Sequence, residues 1–453
     1  MNLYRLLQER AAAGRPVRVG VIGAGKFGSM FLAQAHTTPG LHLMAVADLD
    51  VARARQALAT TGWAEEAVGA ASFAEALEKG STHVTEDSQA LIAADGIEVV
   101  VEATGNPPAG LGHARACCAA GKHLVMVNVE ADVLAGPLIA REFAAAGLVY
   151  SLAYGDQPAL ICEMVDWARA SGFPVVAAGK GTKYLPSFHA STPETVWTHF
   201  GITPEKAAAG GMNPQMFNSF VDGAKSAIEM GAVANATGLT PAPGGLVFPP
   251  CDVDDLPRVL CPRSDGGTLH HKGQVEVVSS LARDGGEVAR DLRWGVYVVF
   301  EAPSDYTARC FAEYGLAVDP SGRYGAMYKP YHLIGLELGI SVLSAALRGE
   351  ATGSATGFRG DVAAVAKRDL AAGEVLDGEG GFTVWGRLMP AADSLAAGAL
   401  PIGLAHGVTL TRAVAEGSAV TYADVALDET VPAVRIRREM EAAFAPETAA
   451  AAQ

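Results

Sequence analysis

The chain has 453 residues, half of them hydrophobic and 18% charged, with a formal net charge of −15. That length suggests two or three domains with ample core. The acidic balance, with no basic patch or stripe, argues against nucleic acid as a partner. The six cysteines, Cys117, Cys118, Cys162, Cys251, Cys261 and Cys310, form no C-x-x-C pair and stand at no zinc spacing with a histidine. They read as reduced thiols. No apolar leader opens the chain and no run of about 18 apolar residues occurs, so a cytoplasmic protein outside the membrane is expected.

In chain order, residues 2–13 read as a short helix stopped by Gly14 and Pro16. VRVGVIGAG (17–25) is a β-branched strand running into glycines, and KFGSMFLAQAHTT continues as a helix. LHLMAVADLD (41–50) is a second strand, followed by a helix over 51–60. GIEVVVEATG (96–105), KHLVMVN (122–128) and LVYSLAYGD (148–156) are further strands, separated by the helices HARACCAAG and PLIAREFAAAG. Strands alternating with helices predict a parallel sheet with crossover helices, the α/β class.

The texture then changes. PALICEMVDWARASG (158–172) is a helix and PVVAAGKGTKYLP (174–186) a strand ending in a polar turn. SFVDGAKSAIEM (219–230) lies in one long helix reaching Asn235. Residues 240–330 are rich in glycine, proline and short apolar runs, which suggests antiparallel strands and loops. GLELGISVLSAALRG (335–349) is a strong helix. TGSATG (352–357) looks like a linker, followed by short strands with glycine turns and a charged C-terminal helix.

Gly23, Gly25 and Gly28 form G-x-G-x-x-G between a strand and a helix. The first glycine permits the tight turn, the second lets the backbone approach a pyrophosphate, and the third lets helix and strand pack closely. With Lys26 and Phe27 they make a candidate phosphate loop at a helix N-terminus. Asp48 follows the second strand, where a carboxylate accepts hydrogen bonds from ribose hydroxyls and repels a 2′-phosphate. NAD is therefore favoured over NADP, although Arg53 and Arg55 stand close enough to favour the phosphorylated form. Ala103, Thr104 and Gly105, ending the strand at 96–105, and Asn128, ending another, should line the nicotinamide site.

Asp222, Lys225 and Glu229 are spaced three and four apart on one helical face. Such a face is either a solvated ion-pair ladder or a chemical centre. A lysine can act on a carbonyl or alcohol oxygen if burial or neighbouring cations lower its pKa, and Lys180 and Lys183 are the candidate neighbours. Glu229, Asn235, and His332 in KPYHLIGLE with Lys329 and Tyr331, are candidates for a substrate cleft. Asn213 and Asn218 are weaker ones. His270, His271 and Cys261 lack a convincing third metal ligand.

The stretches VVVEATGNPPAGLGHARACCAAGKHLVMVN and YGDQPALICEMVDWARASGFPVVAAGKGTKY together resemble homoserine dehydrogenases. VAKRDLAAGEVL and LAHGVTLTRAVAEGSAVTYADV resemble a SAF domain, a small β-clip module. The whole is similar to homoserine-dehydrogenase-like oxidoreductases with a C-terminal SAF domain, a group that includes DXR-like 1-deoxy-D-xylulose 5-phosphate reductoisomerases. The resemblance implies that Asp222 and Lys225 match the catalytic Asp and Lys of one substrate-domain helix, the Lys moving a proton at the reacting oxygen. It implies that Lys180 and Lys183, in the turn K-G-T-K-Y, bind an anionic group. It also implies a homodimer and, for a DXR-type reaction, a divalent cation, with Glu130, Asp132 and Glu229 the acids to inspect. Where homoserine dehydrogenases have Asn-Lys-Ala, this chain has Asn128, Val129 and Glu130.

These readings predict a Rossmann domain over 1–155, an α+β substrate and dimerisation domain over 156–351, a SAF domain over 358–428, and a C-terminal helix and tail over 429–453. The expected function is NAD(P)-dependent oxidation or reduction of a small anionic substrate, with deoxyxylulose phosphate, homoserine and hydroxy or sugar acids as candidates. No metal site is assigned. A non-catalytic NAD(H) sensor is the alternative of a different class.

Overall fold

The computed structural model describes residues 2–451, with side chains to residue 445. Its chain divides into two units, residues 1–160 with 332–356, and residues 161–331 with 357–453.

The first unit is built on β1 (Val17–Ile22), β2 (Leu41–Ala47), β3 (His83–Thr85), β4 (Val99–Glu102), β5 (His123–Met126) and β6 (Tyr150–Leu152), in the sheet order β3-β2-β1-β4-β5-β6. Every pairing is parallel. This is the doubly wound nucleotide-binding topology. Val19, Val21, Val99 and Val101 of the central strands are wholly buried. Strands covered on both faces need that continuous apolar run. Two short helices, Phe73–Lys79 and Ser88–Ala93, and the three-residue β3 fill the interval that sequence periodicity left blank, because elements so short carry too few periods. The helix expected from Pro137 begins at Val129, with the Asn128 side chain accepting from the Ala131 amide as its cap, and Pro137 sits inside it.

The helix Gly339–Arg348, expected to close the second domain, belongs to the first unit. Its Leu338, Val342, Leu343 and Ala345 join the core of Val17, Phe31 and Leu32. Backbone bonds hold the returning segment at the sheet edge: the Leu152 amide donates to the Gly353 carbonyl at 2.7 Å. The Ser341 hydroxyl accepts from the Tyr154 amide at 2.7 Å.

The second unit carries β7 (Val175–Thr182), β8 (Gln274–Ser279), β9 (Val296–Glu301) and β10 (Tyr324–Lys329), ordered β10-β9-β7-β8. β7 and β8 are parallel and the other pairs antiparallel. The single long helix expected through 219–235 is two helices, Pro214–Asp222 and Ala224–Thr237. Gly223 separates them at φ +92°, a left-handed conformation that glycine adopts without the Cβ penalty. β11 (Gly360–Ala366) pairs with β13 (Val384–Pro390), and β12 (Val375–Asp377), β14 (His406–Leu410) and β15 (Val425–Ala426) form a small antiparallel sheet.

The β-rich segment expected as a separate domain thus shares the second unit with residues 161–331. The helix Pro432–Ala451 closes it with Arg437, whose buried guanidinium grips Asp361 at 3.0 and 2.6 Å. Residues 452 and 453 of the expected tail lie outside the described residues.

Candidate active site

The glycine loop shows three different reasons for its three glycines. Gly23 holds φ +98°, and a Cβ there would stand 2.6 Å from the Ala103 carbonyl oxygen. A Cβ on Gly28 would stand 2.2 Å from the Gly23 oxygen, so only glycine lets the helix Lys26–His36 start against the loop. A Cβ on Gly25 would meet nothing within 4 Å. Protein packing therefore does not require glycine at Gly25, and the open space above it suits a ligand that approaches the backbone. Gly25 is also the N-cap of that helix, and no side chain caps it. Exposed amides and the positive end of the helix dipole suit a pyrophosphate.

Asp48 follows β2 and is buried. Its carboxylate accepts from the Ala24 amide at 2.8 Å, the Asp50 amide at 2.9 Å and the Arg53 guanidinium at 2.6 Å. Burial pushes its pKa up, but these donors outweigh it and hold the carboxyl below its usual range. Asp48 thus braces the glycine loop from the end of the second strand. Lys26 is exposed and Phe27 half-buried.

Beside Ala103, the Glu102 carboxylate holds Thr104 through its amide at 3.3 Å and its hydroxyl. Glu102 Oε2 and Asn128 Nδ2 are buried without a hydrogen-bond partner. Both lie within 3.3 Å of where a Cβ on Gly110 would stand. Sequence reasoning missed Glu102, although it directly precedes the quoted A-T-G. These residues fit a dinucleotide along the loop, with Ala103, Thr104, Gly105 and Asn128 at the ends of β4 and β5, where parallel α/β sheets bind ligands.

In the second unit, Lys180 on β7 is buried against Glu229 of the helix Ala224–Thr237, and the two form an ion pair. Lys225 stands one turn before Glu229 on the same face and is half-buried. At the far end of that helix, the Thr240 amide donates to the Gly273 carbonyl beside the start of β8. The helix therefore runs antiparallel to β7, and its first turn lies toward the end of β7, where Lys183 and Tyr184 follow. Lys183 donates to the His199 carbonyl at 2.7 Å. Burial, and then the Arg293 guanidinium, lower its pKa.

Asp222 does not share this face. Its Oδ2 accepts from the buried Lys367 at 2.8 Å, while the same ammonium donates to the Ser191 and Gly381 carbonyls at 2.7 Å each. Burial raises the Asp222 carboxyl to about 6, against the pull of Lys367. The break at Gly223 causes the separation, because it ends the helical register that would have joined Asp222 to Lys225. Nothing in the local sequence marked Lys367 as its partner.

Asn235 Oδ1 accepts from the Arg359 and Gly360 amides at 2.7 and 3.0 Å, which ties its helix to β11. Asn218 bonds the Ser191 and Gly380 carbonyls, and Asn213 caps its own helix. His332 lies in the returning segment of the first unit. Lys329 stands 5.7 Å over the Tyr331 ring.

Among the described residues no group of three His, Cys, Asp or Glu is arranged to hold a metal ion. Asp132 is buried against the Tyr150 hydroxyl at 2.8 Å, Glu229 is paired with Lys180, and the His270–His271 contact is 3.2 Å between Nδ1 atoms. No described helix is long and apolar enough to cross a membrane.

Residues 17–127 match the oxidoreductase family with an NAD-binding Rossmann fold, and residues 155–338 match the catalytic domain of oxidoreductase DRL. No curated protein matches the sequence. Solved structures similar to it include myo-inositol dehydrogenase from Lactobacillus casei in complex with NAD(H) and myo-inositol, at 16% identity and a TM-score of 0.29, covering 41% of this chain and 52% of that one. Biliverdin reductase from Synechocystis sp. PCC 6803, in complex with biliverdin and NADP+, is 19% identical at a TM-score of 0.26, over 38% and 48%. The chain spans about half the length of each of these proteins. Two separate segments of the chain thus match oxidoreductase families, the first of them an NAD-binding one.

Proposed function

We propose that the protein is an oxidoreductase that interconverts the hydroxyl and carbonyl of a small anionic substrate and uses NAD in preference to NADP. The observation that carries the cofactor preference is the buried Asp48 carboxylate, bonded to the Ala24 amide beside the open Gly25. Gly23 to Gly28, Asp48, Ala103 to Gly105 and Asn128 are the residues to hold the dinucleotide, which supplies acceptance or delivery of hydride. A fixed carboxylate at that position repels a 2′-phosphate.

In the second unit, Lys225 is the group assigned to the reacting oxygen, with the buried Lys180–Glu229 pair as its charged neighbour. Lys183, with Arg293 close enough to lower its pKa, is assigned to the substrate's anionic group. A phosphorylated ketose such as 1-deoxy-D-xylulose 5-phosphate is the most specific candidate, and hydroxy and sugar acids are the others. The SAF-like β segment has a bracing role, because its Lys367 consumes the Asp222 carboxylate.

Titration with NADH and NADPH tests the cofactor reading. NADH should bind roughly tenfold tighter, a difference near 1.4 kcal/mol. Asp48→Ala should erase that difference, since Arg53 is then released toward a 2′-phosphate. Equal affinities in the wild type would remove the carrying observation. Lys225→Ala should lose turnover and keep NADH affinity.

A further inference from the structure

A tyrosine–histidine pair just beyond β7 takes part in none of these roles. Tyr184 Oη lies 2.8 Å from His189 Nε2, and His189 Nδ1 lies 2.7 Å from the Asp222 carbonyl oxygen. A carbonyl only accepts, so Nδ1 carries the ring proton. Nε2 of the neutral ring is then an acceptor, and the Tyr184 hydroxyl donates to it. The geometry thereby fixes tautomer and direction.

Both rings are clamped. Phe248 stacks on Tyr184 at 3.9 Å and 17°, and Trp385 stacks on His189 at 3.7 Å and 22°. Phe248 holds φ +53°, unusual for an aromatic residue, and its amide donates to the Glu276 carboxylate at 3.2 Å. Such strain persists where surrounding contacts over-determine the conformation, and it clusters at functional sites. A Cβ on Gly223 would stand 3.2 Å from His189 Cε1. The pair therefore sits against the break that starts the Lys225 helix.

We infer that Tyr184 is a catalytic residue exchanging a proton with the substrate's reacting oxygen, where the Lys225 ammonium stabilises charge, and that His189 is the positioning residue taking the tyrosine's own proton from behind. The inference rests on the oxidoreductase reading. In the oxidising direction the substrate's C–H breaks with its hydride passing to NAD+ as the oxidant, and its O–H breaks as a bond forms to the Tyr184 oxygen. The tyrosine's own O–H breaks as a bond forms to His189 Nε2. The resulting imidazolium keeps its Nδ1 proton on the Asp222 carbonyl, and reduction reverses each transfer. Burial pushes the Tyr184 phenol up to about 12 and lowers His189, so the phenol needs the imidazole and the imidazole is neutral when called on.

The charged and titratable groups facing the pair are Arg283 over the Tyr184 ring at 5.8 Å, the Glu276 carboxyl, which burial raises to about 7 and which pushes Tyr184 up, and the Asp222 carboxyl with its Lys367 partner. Phe248, Trp385 and Gly223 bring none.

The test combines turnover, its pH profile and the histidine tautomer. Wild type, Tyr184→Phe, His189→Gln and Lys225→Ala are assayed with NAD+ on hydroxy and sugar acids, and with NADH or NADPH on 1-deoxy-D-xylulose 5-phosphate. Alcohol oxidation by the wild type should fall on the acid side of the usual histidine range, because burial lowers His189 and its neutral form is lost only there. Tyr184→Phe should lose roughly a hundredfold or more of kcat, with NADH affinity unchanged. His189→Gln still accepts from Tyr184 but cannot take the proton, so it should keep KM, lose kcat and lose the acid limb. An acid limb surviving in His189→Gln belongs to the Asp222 or Glu276 carboxyl and overturns the inference. So does full kcat in Tyr184→Phe. A nitrogen-15 spectrum placing the His189 proton on Nε2 overturns it without any turnover. A fully active Lys225→Ala overturns only the lysine's role. No turnover by the wild type on any of these compounds overturns the substrate reading, and the relay with it.

Discussion

Single side chains set the chemistry of both units, and two of them give sharp tests. Gly25 has an ordinary φ of −72° and open space where a Cβ would stand. Gly25→Ala should leave stability within about 0.5 kcal/mol while weakening NADH binding at least tenfold, because the methyl occupies the pyrophosphate's approach. An unchanged affinity would move the dinucleotide off this loop.

Asp132 is the second. It is buried, accepts only from Tyr150, and leaves Oδ2 without a partner. Burial raises its pKa from 3.8 to about 7. Between those values the folded state binds the proton and the unfolded state does not, so this group's contribution to stability falls as pH rises from 4 toward 7. Asp132→Asn should therefore stabilise the protein at about pH 8, by an amount on the order of a few kcal/mol, and do much less at about pH 5. The same gain at both pH values in denaturant melts would show that Asp132 does not titrate there. The sequence marked Asp132 only as an acid to inspect, because burial is invisible in a list of residues.

At the level of elements, the break at Gly223 decides what the charged residues 222, 225 and 229 can do. Read along the chain, Asp222, Lys225 and Glu229 share a face. Folded, Gly223 turns Asp222 toward Lys367 and leaves Lys225 with Glu229 and Lys180. Gly223→Ala forces a Cβ into a left-handed conformation costing about 1–2 kcal/mol, against the His189 ring. The expected result is a lower melting midpoint together with a shifted His189 signal. An unshifted signal would detach the helix break from the histidine. The glycine was legible as a residue, but its φ was not, since a glycine inside a helical pattern is also tolerated at modest cost.

The Pro214–Asp222 helix shows the same limit. Gln215 and Asn218 donate to carbonyls of residues 377, 379 and 380. Removing Lys367 would leave Asp222 as an uncompensated buried charge, so Lys367→Met should destabilise the second unit by roughly 3–5 kcal/mol. A thermal or denaturant melt reads this directly, and a change below about 1 kcal/mol would mean that the pair is solvated.

Over the whole molecule, the chain leaves the first unit after residue 160 and returns to it for residues 332–356. Leu338, Val342 and Leu343 fill its core. A fragment of residues 1–160 should fail to fold cooperatively, whereas the same fragment joined to 332–356 by a flexible linker should fold and bind NADH. Cooperative melting of the shorter fragment would refute this. The sequence by itself determined the α/β sheet of the first unit, its glycine loop and the carboxylate after β2. Each of these is a local pattern, a strand period or a turn, read within a few tens of residues. Tertiary structure alone decided the return of Gly339–Arg348, the pairing of Asp222 with Lys367 across 145 positions, and the meeting of Tyr184, His189 and Trp385. Apolar faces and buried charges specify that partners must exist, but only packing selects which ones, because every alternative partner far along the chain satisfies the local pattern equally well.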